Sequence, residues 1–99
     1  MTDADAHAEN LERREVVYQG HVQGVGFRAT AQGLGERHGV TGWVRNEPNG
    51  TVRMQAQGEP AAVRTFLKAV REAMATHISD VHEGTVEPEP GESSFRVAY

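Results

Sequence analysis

Cysteine is missing from this 99-residue chain. That excludes disulfides, thiolate nucleophiles and thiolate metal sites, and it suits a reducing compartment. No run of residues is apolar and long enough to span a membrane, and no secretory leader opens the chain. A cytoplasmic protein without a membrane partner is therefore expected. The tripeptide Gly-Lys-Ser/Thr does not occur, which removes the Walker A route to nucleotide phosphates. The expected strands hold no exposed aromatic pair for base stacking. With a formal net charge of −4, nucleic acid is not an expected partner. Repeats and low-complexity segments are absent as well. At this length the chain builds one domain with one modest core.

The charge is unevenly spread. Residues 1–15 carry a net −3, residues 16–79 a net +3 and residues 80–92 a net −5. Residues 1–14 are polar, acidic and short of large apolar side chains, so they read as a flexible acidic tail ahead of a domain at 15–99. The basic middle segment suits a small anion better than a polyanion, which the acidic flanks would repel.

Periodicity divides the domain. From Val16 to Val22 residues alternate, with Val16, Tyr18, Gly20 and Val22 on one strand face. Phe27 to His38 predicts a helix with Phe27, Ala31, Leu34 and His38 on one side, stopped by Gly39 as a left-handed cap. Gly33 and Gly35 each disfavour that helix by about 1 kcal/mol relative to alanine, and close packing on a sheet is the simplest account of them. Val40 to Asn46 and Thr51 to Gln57 predict two antiparallel strands around Pro48-Asn49-Gly50, since Asn-Gly is a strong hairpin signal. Pro60 is pre-organised to open a second helix, with Val63, Phe66, Leu67, Val70 and Met74 in a clean stripe. Residues 77–87 hold a weaker strand, anchored by Ile78 and Val81 with a bulge between them, and Phe95, Val97 and Tyr99 alternate in the last one. The order β-α-β-β-α-β, with a short extra strand if the last two are counted separately, predicts an α+β ferredoxin-like sandwich. Its sheet is mainly antiparallel, with two helices on one face.

The chemistry centres on residues 20–28, Gly-His-Val-Gln-Gly-Val-Gly-Phe-Arg, which hold three glycines, one arginine and no acid. Glycines let consecutive N–H groups turn toward a ligand, and a helix start carries the partial positive charge that an anion needs. The planar fork of Arg28 suits phosphate or carboxylate. Gly24 to Ala29 also fits G-x-G-x-x-A with Glu47 about 20 residues on, but the chain has no room for a doubly wound dinucleotide fold. His77, Asp80 and His82 fit no metal-ligand spacing on a strand, and no metal is expected. His21 and His38 read as solvated or structural. Asn49-Gly50-Thr51 is a glycosylation sequon that needs a secretory route.

The residues Val22-Gln23-Gly24-Val25-Gly26-Phe27-Arg28, with Gly39-Val40-Thr41-Gly42-Trp43-Val44-Arg45-Asn46 and then Asn49-Gly50-Thr51-Val52, resemble the acylphosphatases. The likeness runs from Val16 to the closing Phe95-Arg96-Val97-Ala98-Tyr99. It implies a ferredoxin-like fold and hydrolysis of the carboxyl–phosphate bond of acyl phosphates without metal or cofactor. By position, Arg28 and Asn46 would be the catalytic pair. Gln23, Gly24, Val25, Gly26 and Phe27 would supply, with Arg28, the phosphate cradle. A small-molecule acyl phosphate is then the expected partner of a monomer, with inorganic phosphate or sulfate as a competing anion. Where the family often has an aromatic residue after the arginine, this chain has Ala29. The alternative is a module that holds a phosphorylated or carbamoylated metabolite on the same cradle without turning it over.

Overall fold

The computed structural model describes residues 10–99. Its elements are β1 (Glu12–Gly20), α1 (Phe27–His38), β2 (Thr41–Asn46), β3 (Val52–Gly58), α2 (Pro60–Ala73), β4 (Ile78–Val86) and β5 (Phe95–Val97). The five strands form one sheet in the order β4-β1-β3-β2-β5. Every neighbouring pair is antiparallel except β2 and β5, which run parallel. Both helices cover one face, so the expected ferredoxin-like sandwich is what the chain forms.

Register explains that face. Val16 lies opposite Met54, Tyr18 opposite Val52, and Val44 opposite Met54 from the other side. Side chains alternate across a strand, so these residues share the side turned to the helices. Val63, Phe66, Leu67, Val70 and Met74 of the α2 stripe are all buried against it. The stripe recurs every three or four residues, which keeps it on one side of an α-helix over the whole length of α2.

The shorter apolar side of α1 buries Phe27, Ala31 and Gly35. A Cβ on Gly35 would come within 2.7 Å of the Phe95 ring, so this glycine lets β5 approach the helix. Gly33 has nothing within 4 Å of such a Cβ, and no packing demand explains it. Gly39 ends the helix in the left-handed conformation, and its N–H donates to Glu36 O.

The strands depart from expectation at two ends. β1 stops at Gly20 rather than Val22, where β4 inserts Ser79: Gln19 pairs with Asp80 and Gly20 with Ile78. That extra residue is the bulge expected between Ile78 and Val81. At the other end β1 begins at Glu12, so residues 12–14, read as tail, are strand residues; residues 1–9 lie outside the described residues.

Arg13 supplies the physical reason for the earlier start. It is 1% exposed, and it donates from Nε to Gln55 Oε1 at 2.6 Å, from Nη1 to Gln57 Oε1 at 3.2 Å and from both Nη atoms to Glu92. The segment 87–94 is tied down with it: Gln57 Nε2 donates to Glu89 O, and Glu89 N donates to Gln57 Oε1. Composition shows a charged segment as solvated, while these partners lie 42 to 79 positions away in sequence.

Candidate active site

Residues 21–26 leave the end of β1 and deliver the chain into α1. Apolar and open positions interleave along them. Val22 and Phe27 are buried, Val25 packs partly against the core, and Gly24 and Gly26 are exposed. Phe27 is pinned against Tyr18, ring centroids 4.8 Å apart. Three apolar side chains therefore hold the loop down while the glycines between them face solvent. Gly24 and Gly26 have φ of 76° and 79°, a conformation that disfavours side chains with a Cβ.

Gly26 is also the N-cap of α1, and no side chain caps that helix. The first N–H groups of a helix have no partner within it. Here the residues of that first turn line a cavity of about 330 Å³, where the helix dipole favours a negative charge. Gly24, Gly26, Phe27, Arg28 and Asn46 line that cavity together, with Val22, Ala29, Gln32, Val97 and Tyr99 completing its wall. The arginine and the asparagine, 18 positions apart in sequence, thus meet around one space. Gln23 and Val25 do not line it. Gln23 turns its amide to the β2–β3 turn, donating from Nε2 to Glu47 O at 2.8 Å and to Thr51 O at 2.9 Å.

Asn46 is the last residue of β2, paired with Val52. The turn beyond it is self-supporting. Glu47 N donates to Thr51 O and Gly50 N to Glu47 O, while Thr51 donates from both N and Oγ1 to Asn49 Oδ1.

Charge near the site is sorted. Arg28 forms no ion pair among the described residues, and its Cζ sits 5.3 Å from the centroid of the Tyr99 ring. The nearby acid is occupied: Glu47 Oε1 accepts from Arg45 Nε at 2.9 Å and from Arg53 Nε at 3.0 Å. The Arg45 hydrogen bond above all, with Arg53 beside it, holds the Glu47 carboxyl below the usual carboxylate range. Farther along the sheet, burial pushes Glu15 up, but hydrogen bonds from Gln55 and Arg53 outweigh it and leave that carboxyl lowered too. Arg45 and Arg53 engage these two carboxylates, and Arg28 pairs with neither.

Besides Val22, which stands in the loop motif without a site role, four wall residues escaped the sequence reading. Gln32 lies four positions after Arg28, one turn along the same helix side, a spacing that sequence could have offered. Ala29 was noticed only as a departure. Val97 and Tyr99 reach the site because β5 pairs in parallel with β2, and no local pattern announces such a pairing. Among the described residues no cluster of three or more His, Asp or Glu could hold a metal ion, and His82 instead pairs with Asp80 at 3.2 Å.

Comparison with known proteins shows the family. The family model for Acylphosphatase matches residues 14–97. The acylphosphatase of Geobacillus thermodenitrificans is 39% identical over 90 residues, which cover 90% of this chain and 96% of that one. The structure of an acylphosphatase from Coxiella burnetii superposes with a TM-score of 0.82 at 29% identity, covering 99% of this chain and 100% of that one. The acylphosphatase crystal structure from Bacillus subtilis gives 0.79 at 28% identity, covering 90% and 99%. A match of this extent in sequence and in fold places the chain in the acylphosphatase family.

Proposed function

We propose that this protein hydrolyses acyl phosphates by holding the phosphoryl group on the 23–28 loop, clamping it with Arg28 and aligning the attacking water with Asn46. Family membership makes it a hydrolase of the acyl phosphate class; the roles of the residues are our reading. The observation that carries it is the single cavity shared by Gly24, Gly26, Arg28 and Asn46 at an uncapped helix start.

The chemistry needs little more. An acyl phosphate is a mixed anhydride. Water attacks phosphorus in line, the bond from phosphorus to the carboxyl oxygen breaks, and its electron pair leaves on the carboxylate. A carboxylate departs without being protonated, so the site needs no general acid. The water proton passes to phosphate or solvent. What remains is positioning and charge stabilisation, which dominate phosphoryl transfer. Arg28 and the first-turn N–H groups face the equatorial oxygens, where charge is spread in the transition state. Asn46 suits the water because an amide accepts with its oxygen and donates with its nitrogen, so one side chain can touch both water and phosphate.

The test is hydrolysis of benzoyl phosphate by the purified protein in EDTA, with inorganic phosphate as competitor and Asn46→Ala beside the wild type. Turnover should survive the chelator and be inhibited by phosphate. The variant should lose kcat by roughly 10²-fold while its phosphate inhibition constant stays within about twofold. A folded wild type that binds phosphate without turnover would sink the reading.

A further inference from the structure

The cradle and the water-orienting residue belong to different parts of the sheet. The loop leaves β1, Asn46 ends β2, and β3 runs between those two strands. Among the described residues no backbone hydrogen bond joins residues 21–26 to residues 46–51. The side chain of Gln23 makes the connection. Its Nε2 sits 2.8 Å from Glu47 O and 2.9 Å from Thr51 O, so both amide protons are committed to the two ends of the turn that follows Asn46.

We infer that Gln23 is a positioning residue: it latches the β2–β3 turn to the phosphate loop and so sets where Asn46 stands relative to bound phosphate. The inference rests on the reading of Asn46 given above. Gln23 donates nothing further to an anion from that amide, since both of its protons are used. Its task is geometric. A displacement of about 1 Å between reacting groups costs roughly 10²-fold in rate.

The turn does not need Gln23 to form. Glu47 O also accepts from Gly50 N, and Thr51 O also accepts from Glu47 N. Removing the latch therefore leaves a closed hairpin with one hydrogen bond on each carbonyl, and the fold persists. This separates a latch from a structural prop.

The experiment is a double-mutant cycle on benzoyl phosphate hydrolysis with Gln23→Met, which keeps length and bulk without donors, and Asn46→Ala. Gln23→Met should lower kcat by about tenfold or more and leave the phosphate inhibition constant within about twofold. In the Asn46→Ala background the same change should cost less than about twofold, because nothing is left to position. An unchanged kcat in Gln23→Met, with an active wild type, overturns this inference alone. Losses that multiply across the cycle overturn it too, as does a phosphate constant that rises while kcat holds. Failure of both Gln23→Met and Gln23→Ala to fold would make the side chain structural and end the positioning role. An inactive wild type overturns the inference together with the proposed function.

Discussion

Two arginines at opposite ends of the sheet divide the labour of this molecule. Arg13, at the start of β1, is 1% exposed and surrounded by acceptors: two glutamine side chains and the bidentate carboxylate of Glu92. Arg28, beyond the other end of β1, has no ion pair among the described residues and lies beside a cavity. A buried guanidinium is tolerable only when its protons are satisfied, so Arg13 serves the fold. A guanidinium left without a carboxylate keeps its charge available to an anion from outside, which is the role we propose for Arg28. Glu47, the residue after Asn46, has its carboxylate engaged by Arg45 and Arg53.

The sharpest way to break this comparison is to remove each arginine and ask which property fails. Arg28→Ala should lower kcat/KM for benzoyl phosphate by about 10³-fold, since in the proposed function it removes a charge that faces the transition state. Its urea midpoint should stay near that of the wild type. Arg13→Met should do the reverse, lowering unfolding free energy by about 3 kcal/mol as Glu92 and the glutamines lose their donor. Its activity at temperatures where it is folded should be retained. A stability loss in Arg28→Ala as large as that in Arg13→Met would erase the distinction.

A smaller effect sharpens the view of α1, the helix that carries the site. Gly35→Ala would force its Cβ against the Phe95 ring, displacing β5 and with it the Val97 wall, at a cost of about 1–3 kcal/mol. Gly33→Ala meets nothing and should stabilise by roughly 0.5–1 kcal/mol through helix propensity. Equal effects of the two changes in thermal melts would refute the packing account of Gly35.

The least effect expected is on pH dependence. Glu15 and Glu47 both titrate below the ordinary 4.5 in the folded protein. The unfolded chain therefore binds more protons than the folded one in that range. Their stabilising contribution is complete above 4.5 and is lost as pH falls through that value toward the folded-state pKa. Glu47→Gln should flatten the acid side of a stability-versus-pH curve measured by urea titration; an unchanged acid slope would mean that Glu47 gains nothing from Arg45 and Arg53.

Much of this was legible because it is local. The α1 span Phe27–His38, its Gly39 cap, the α2 stripe, the Asn-Gly hairpin and the β4 bulge each rest on periodicity or on a residue with unusual backbone freedom. The glycine turn before a helix was legible for the same reason, and the anion cradle remains our proposal for it. What escaped was non-local. The strand character of residues 12–14 depends on Gln55, Gln57 and Glu92, and the Val97 and Tyr99 wall depends on a parallel edge pairing. Gln23 was read by its backbone, as part of the cradle, while its side chain does something that only a folded turn can reveal.

By itself, then, the sequence determined which segments become strands and helices, and that a glycine turn and Arg28 stand at a helix start. Those follow from φ/ψ preferences and side-chain periods that act within a few residues. Tertiary structure decided which arginine is buried and which, among the described residues, has no ion pair, which glycine is required for packing, and where the Gln23 amide donates. Each of those turns on partners brought together only when the strands take their order in the sheet, and no window of sequence contains both members of such a pair.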